Sequence, residues 1–344
     1  MDVSHVSKRP AVNKTVSLRR VLLMKGGSDR SEPIYDLARE LNDLGVNVHV
    51  VDQALSAYTL KWLYFARRSG AFVFVRYHNS DDKFFFQRQL YRAKLLGCTV
   101  VRWWVGSDVL YSRESEQTLR VARAIDGAVD LNITVSPHLV TELGEIGIEA
   151  EYVPSFCDVG NSHNDPPSRL PKGVLSYLPT KRKAFYGQEI LITAIEDNPD
   201  LEFFIVGDES HSLQHYSNVT SLGWVEDMND VWPRVGVLLR VTQHDGMPRM
   251  VLEALARYRY VIYSETFEGC WFGRSKEQVR QYLKTFKSLD KPNISGPTVT
   301  YSSTNAATTF ADKVAKRLKT PFSVQRFKNS ISAYLCTRQK IITN

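Results

Sequence analysis

The sequence predicts two α/β domains, each a doubly wound parallel sheet, facing one another across a cleft. Three observations predict this. At 344 residues the chain exceeds what one ordinary core holds. Two successive series of short apolar segments alternate with helical patterns, which is how parallel βαβ units read. A polar, proline-bearing stretch separates the two series.

In the first series, strands are expected over 20–24, 46–51, 71–77, 99–104 and 131–135, with an amphipathic helix over 32–44 that stops at Gly45. Residues 1–18 read as a flexible leader, 19–158 as the first domain and 159–171, with Pro166 and Pro167, as the linker. The second domain, 172–320, carries strands over 173–178, 201–206, 219–222, 235–241 and 260–263, and helices over 188–197 and 248–256. Helical patterns over 275–289 and 306–335 complete it, with 321–344 packing back on the first domain.

Composition narrows the class. A hydrophobic share of 43% and a charged share of 24% are those of a globular protein, not of a disordered tail or a membrane bundle. The longest purely apolar runs, such as 71–75, are far short of a bilayer span, and 21–24 is too short for a signal-peptide core, so a cytoplasmic protein is expected. Cys98, Cys157, Cys270 and Cys336 form no C-x-x-C pair and have no ligand histidines near them, so neither a disulfide frame nor a metal site is expected. A net charge of +7 fits an anionic partner: nucleic acid, an acidic membrane surface or a phosphorylated substrate, or simply a solvated surface. No nucleic-acid module, dinucleotide fingerprint or phosphate-loop motif is present, which argues against nucleic-acid, NAD and ATP chemistry.

The segment from Arg240 to Ala256 is the most informative. It joins a buried strand to a helix. Pro248 suits a first helical turn, and Gly246 lets backbone approach a ligand. Free N–H groups there, with the helix dipole, make an anion site suited to a pyrophosphate. Asp245 and Glu253 stand eight positions apart, so both can border one cleft and hold hydroxyl groups. The same spacing also fits a helix cap at Asp245 and a salt-bridged surface acid at Glu253.

This segment resembles the acid-x7-acid signature of retaining GT-B glycosyltransferases, the "glycosyl transferases, group 1" family, as Asp245-Gly246-Met247-Pro248 followed by Leu252-Glu253-Ala254. Phe203 to Asp208, Leu222-Gly223-Trp224-Val225, Gly106-Ser107-Asp108, Val135-Ser136 and Tyr152-Val153-Pro154 match further segments of the family, in order, over residues 20–265. The resemblance implies that Glu253 binds the donor ribose and that Asp245 sits beside the donor sugar. It places His244 and the backbone of Gly246, Met247 and Pro248 around the phosphates. It also implies a basic group that stabilises the leaving diphosphate in place of a metal, for which Arg182 and Lys183 stand in the right loop. That basic cluster is also what a solvated loop looks like. Gly27 and Ser28, with Gly106, Ser107 and Asp108, would face the cleft from the first domain.

Three departures stand out. Asp245 replaces the usual Glu, Trp104 and Val105 stand where a histidine often precedes the first-domain loop, and Tyr186-Gly187 replaces a Lys-Gly pair. The implied activity is transfer of a sugar from a UDP- or GDP-sugar, without a cofactor or metal, to a glycan or polyprenyl-linked acceptor. Aromatic and basic residues interleaved over 58–68 and 84–94 suit an anionic membrane face, and equally a core with solvated cations. A binding subunit without turnover and a nucleotide-sugar epimerase are the competing readings.

Overall fold

The computed structural model describes residues 18–25, 33–52, 59–75, 83–155 and 166–318. The first domain runs β1 (Arg20–Lys25), α1 (Pro33–Asp43), β2 (Asn47–Asp52), α2 (Leu60–Arg68), β3 (Ala71–Val75) and α3 (Lys83–Leu95). It continues with β4 (Thr99–Trp104), α4 (Ser107–Arg113), α5 (Glu116–Asp126), β5 (Leu131–Thr134), α6 (Pro137–Glu145) and β6 (Glu151–Tyr152). All six strands are parallel, in the order β2-β1-β3-β4-β5-β6. Every residue of β3 and β4 is buried, as expected of a sheet covered by helices on both faces.

The second domain runs β7 (Gly173–Tyr177), α7 (Gln188–Glu196), β8 (Phe203–Val206), β9 (Val219–Gly223), β10 (Val235–Arg240) and α8 (Arg249–Ala256). After it come β11 (Tyr260–Tyr263), β12 (Trp271–Phe272), α9 (Lys276–Ser288), α10 (Gly296–Thr304) and α11 (Ala306–Arg317). Its strands are also parallel, in the order β12-β11-β10-β7-β8-β9. Counted within the domain this is the Rossmann order 3-2-1-4-5-6, whose direction reverses between β7 and β10. Ligands of open α/β sheets sit at the carboxyl ends of the strands at such a reversal. The sequence resolved five strands of each sheet but neither the two-residue edge strands β6 and β12 nor this order.

Local chemistry explains several boundaries. Ser115 and Thr118 form a capping box at the start of α5, and Ser275 and Gln278 form another at α9. Helix α8 begins at Arg249, one residue later than expected, because Pro248 keeps extended ψ and serves as the N-cap residue. Strand β3 ends at Val75 among the described residues, and positions 76 and 77 of the expected strand lie outside them.

The two domains share one apolar cluster. It includes Val101 and Trp103 of the first sheet, Met247 and Leu252 around α8, Leu238 of the second sheet, and Phe310 and Val314 of α11. Helix α11 lies on the first domain. Lys313 and Arg317 both pair with Glu151 of β6, and the Thr99 hydroxyl donates to the Arg317 carbonyl. The expected crossing segment 321–344 lies outside the described residues. Among the described residues no helix is long and apolar enough to cross a membrane.

Candidate active site between the two domains

The carboxyl ends of the two sheets meet at the loop that follows β10. A Cβ on Gly246 would stand 2.1 Å from the carbonyl oxygen of Val105, and one on Gly106 would stand 2.5 Å from the Gly246 nitrogen. Gly106 itself has φ 123°, a conformation open to glycine. Backbone therefore lies on backbone across the domain interface, and a side chain at either position would wedge it open.

Polar contacts flank this point. His138, on the first turn of α6, bonds through Nε2 to the Asp245 carbonyl at 2.9 Å. His244 Nε2 meets Glu142 Oε2, also on α6, at 2.9 Å, and Arg113 lies 3.3 Å from the same oxygen. Arg249 pairs with Asp36 of α1 at 3.1 Å. The Tyr263 hydroxyl donates to the Gly246 carbonyl at 3.0 Å from the second domain, fixing the loop from below. The segment 244–249 is thus held to α1 and α6 of the first domain.

Glu142 supplies a pH test of this clasp. Burial pushes its carboxyl up, but the hydrogen bond and charge of His244, with the charges of Arg113 and His138, more than offset that and hold it below the ordinary range. A depressed folded-state value gives stability that is complete above the unfolded value, about 4.3, and is lost as pH falls through the folded one. Melting temperature measured from pH 6 to pH 3 is therefore expected to fall more for the wild type than for Glu142→Gln. Parallel profiles would show that the clasp carries no linkage.

The residues the sequence assigned to donor binding divide into two groups. Asp245 neither caps α8 nor faces solvent alone. Its Oδ2 accepts from Arg240 Nε at 3.0 Å and Nη2 at 2.8 Å, and its Oδ1 accepts from the Gly246 N–H at 3.0 Å. Glu253, about one turn into α8, is half-buried and has no hydrogen-bond or ion-pair partner for its carboxylate among the described residues. Burial raises its pKa, with the nearby Asp36 adding to the rise and Arg249 and Arg257 opposing it. No side chain caps α8. Glu253 therefore offers acceptor oxygens on a helix whose first backbone N–H groups no N-cap side chain satisfies.

Lys183 is committed elsewhere. Its ammonium donates to Asp208 at 3.0 Å, Ser210 at 2.9 Å and Ser212 at 2.6 Å, which uses all three of its protons. Asp208 is fully buried. Burial pushes its carboxyl up, but the bonds from Ser210, Ser212 and Lys183 outweigh this and hold it far below the usual range. Arg182 has φ 61° and lies exposed over the Phe185 ring at 4.2 Å. In the first domain, Asp108 is buried and accepts from the N–H groups of Val105, Gly106 and Val109, so its carboxylate shapes the loop, while Ser107 is exposed. Gly27 and Ser28 lie outside the described residues.

Of the interleaved aromatics, Trp62 and Tyr91 are core, whereas Tyr64 is 51% exposed under the Arg68 guanidinium. Tyr58 lies outside the described residues, as do Cys157 and Cys336. Among the described residues no cluster of three or more His, Cys, Asp or Glu is arranged to hold a metal. A surface groove of about 610 Å³ beside the start of α7 contains none of the assigned donor residues. Arg240, Tyr263, His138, Glu142, Asp36 and Arg249 were not among the residues expected at the site. Only Arg240 and Arg249 stood inside the segment that the motif marked.

The sequence matches no protein-family model and no curated protein. The fold, however, is shared with solved glycosyltransferases. HepE of Anabaena in complex with UDP-glucose aligns with a TM-score of 0.57 at 13% identity, over 94% of this chain and 100% of that one. A glycosyltransferase of Rickettsia africae aligns at 0.53 and 13% identity over 95% and 99%. The pneumococcal O-GlcNAc transferase GtfA, in complex with UDP and GlcNAc, aligns at 0.54 and 12% identity over 75% of this chain and 60% of that one. The chain has the GT-B fold, as its sequence motif implied.

Proposed function

We propose that the protein is a glycosyltransferase that moves a sugar from a UDP- or GDP-sugar to a glycan or polyprenyl-linked acceptor, with retention of configuration and without a metal ion. The observation that carries this is the half-buried carboxylate of Glu253, unpartnered among the described residues, on the helix that follows the Asp245–Pro248 loop, at the edge where two GT-B domains meet. A half-buried, unpaired carboxylate is disfavoured in its charged form, and ribose hydroxyls arriving there would supply hydrogen bonds to it. The neighbours HepE and GtfA, which are described with UDP-glucose and with UDP and GlcNAc, support a nucleotide-sugar donor. The net charge of +7 and the exposed Tyr64 and Arg68 of α2 support work at an anionic membrane face on the cytoplasmic side.

The test is calorimetric binding against a panel of nucleotide sugars and free diphosphates, followed by NMR of the product's anomeric configuration in the presence of EDTA. A UDP- or GDP-sugar that binds and is transferred with retention in EDTA supports the reading. Binding without sugar release to any acceptor would favour a binding subunit, and acceptor-independent isomerisation an epimerase. Absence of sedimentation with anionic vesicles would remove the membrane part.

A further inference from the structure

Arg240 ends β10, the strand at which the second sheet reverses its order, so its side chain stands where the fold places ligands. Its guanidinium lies 5.1 Å from the Tyr177 ring centroid and 5.2 Å from that of Tyr186, the end of β7 and the loop after it. Two of its nitrogens bond Asp245 Oδ2, whereas Nη1 bonds no atom among the described residues and is not fully buried by them. The side chain is only 10% exposed.

The charge and hydrogen bonds of Asp245 more than offset the burial of the Arg240 guanidinium and keep it charged, while one of its donor nitrogens is left over for a further acceptor. Such a cation, flanked by two rings, is suited to an anion that arrives and departs. The other basic groups of this edge fit less well. Lys183 has no free proton, and Arg182 is exposed on a loop, where its charge is screened and its geometry unfixed.

We propose that Arg240 is the fixed cation that receives the donor's diphosphate, exchanging its Asp245 partner for phosphate oxygens. This rests on the glycosyltransferase reading above. In the structure Asp245 neutralises Arg240. When the diphosphate binds, Arg240 turns its fork to the phosphates, and Asp245 is released to the hydroxyls of the sugar. During transfer the bond from the anomeric carbon to the phosphate oxygen breaks, its electron pair stays on that oxygen, and Arg240 stabilises the charge that develops there. The new bond forms to the acceptor oxygen, whose proton goes to the departing phosphate.

The experiment compares the affinities of the nucleoside diphosphate and the corresponding monophosphate by calorimetry. The wild type is expected to favour the diphosphate by roughly 100-fold, the scale of a charge-assisted bidentate contact. In the paired variant Arg240→Gln with Asp245→Asn, which leaves no orphaned charge, that ratio is expected to fall to about three-fold or less with monophosphate affinity retained. A ratio that stays near the wild-type value overturns the assignment, because a merely structural Arg240 moves both affinities together. If the paired variant does not fold, Arg240→Lys keeps the charge and loses the fork, and a ratio at least about five-fold below wild type is expected; an unchanged ratio overturns the proposal. Failure of the wild type to bind any nucleotide would instead overturn the donor-site reading, and this assignment with it.

Discussion

Gly246→Ala is expected to lower kcat/KM for sugar transfer by about 100-fold or more, the cost of an ångström-scale misplacement between reacting groups. The added Cβ would lie 2.1 Å from the Val105 oxygen and 2.7 Å from its carbonyl carbon, both backbone atoms of the loop after β4, so no side chain can rotate away to relieve it. The interface itself must open. Met247, buried in the cluster that the two domains share, and the His138 bond to the Asp245 carbonyl would be displaced together. Nucleotide binding, which draws on the second domain, should change much less than transfer. A variant with activity within about three-fold of wild type would show that the observed contact is not part of the working arrangement.

Glu253→Gln is expected to act in opposite directions on stability and on binding. The raised pKa of Glu253 means that the folded state penalises its ionised form. That penalty is absent below the unfolded value, about 4.3, and present in full once pH exceeds the folded one. The amide removes it, so melting temperature at pH 8 should rise by about 2–4 °C, the effect of roughly 1 kcal/mol in a chain of this size, while at pH 4 the two proteins should melt together. Donor affinity should fall about 10- to 100-fold as hydrogen bonds to a charged acceptor are lost. Loss of stability at pH 8 would mean that the carboxylate holds the fold together and is not reserved for a ligand.

The sequence carried five strands of each domain and the loop at which the domains meet, because buried parallel strands are continuous apolar runs and the Gly246-Met247-Pro248 turn is chemically distinctive, but not the two-residue, partly exposed β6 and β12. It did not carry the pairings that give the loop its chemistry. His244 and Glu142 are 102 positions apart, and His138 and Asp245 are 107 apart, so nothing local announces them. Lys183 reads as a free loop cation until Asp208, Ser210 and Ser212 are folded against it. Trp62 and Tyr64 differ by two positions on one helix, and only packing decides that the first is core and the second exposed. Arg240 was visible at the head of the motif, yet a strand-end arginine has no periodicity of its own, and its role depends on the order of β7 and β10 in the sheet.

The route of the chain has a practical meaning for protein engineering. The polypeptide enters the second domain after β6 and returns as α11, whose Lys313 and Arg317 grip Glu151 and whose last carbonyl receives the Thr99 hydroxyl. The halves are therefore not separable at a single cut in sequence. A chimera intended to exchange the donor half must leave residues 306–317 with the recipient's 20–152 and splice at two places, and a hybrid joined only near residue 160 would expose the face of the first domain that α11 covers.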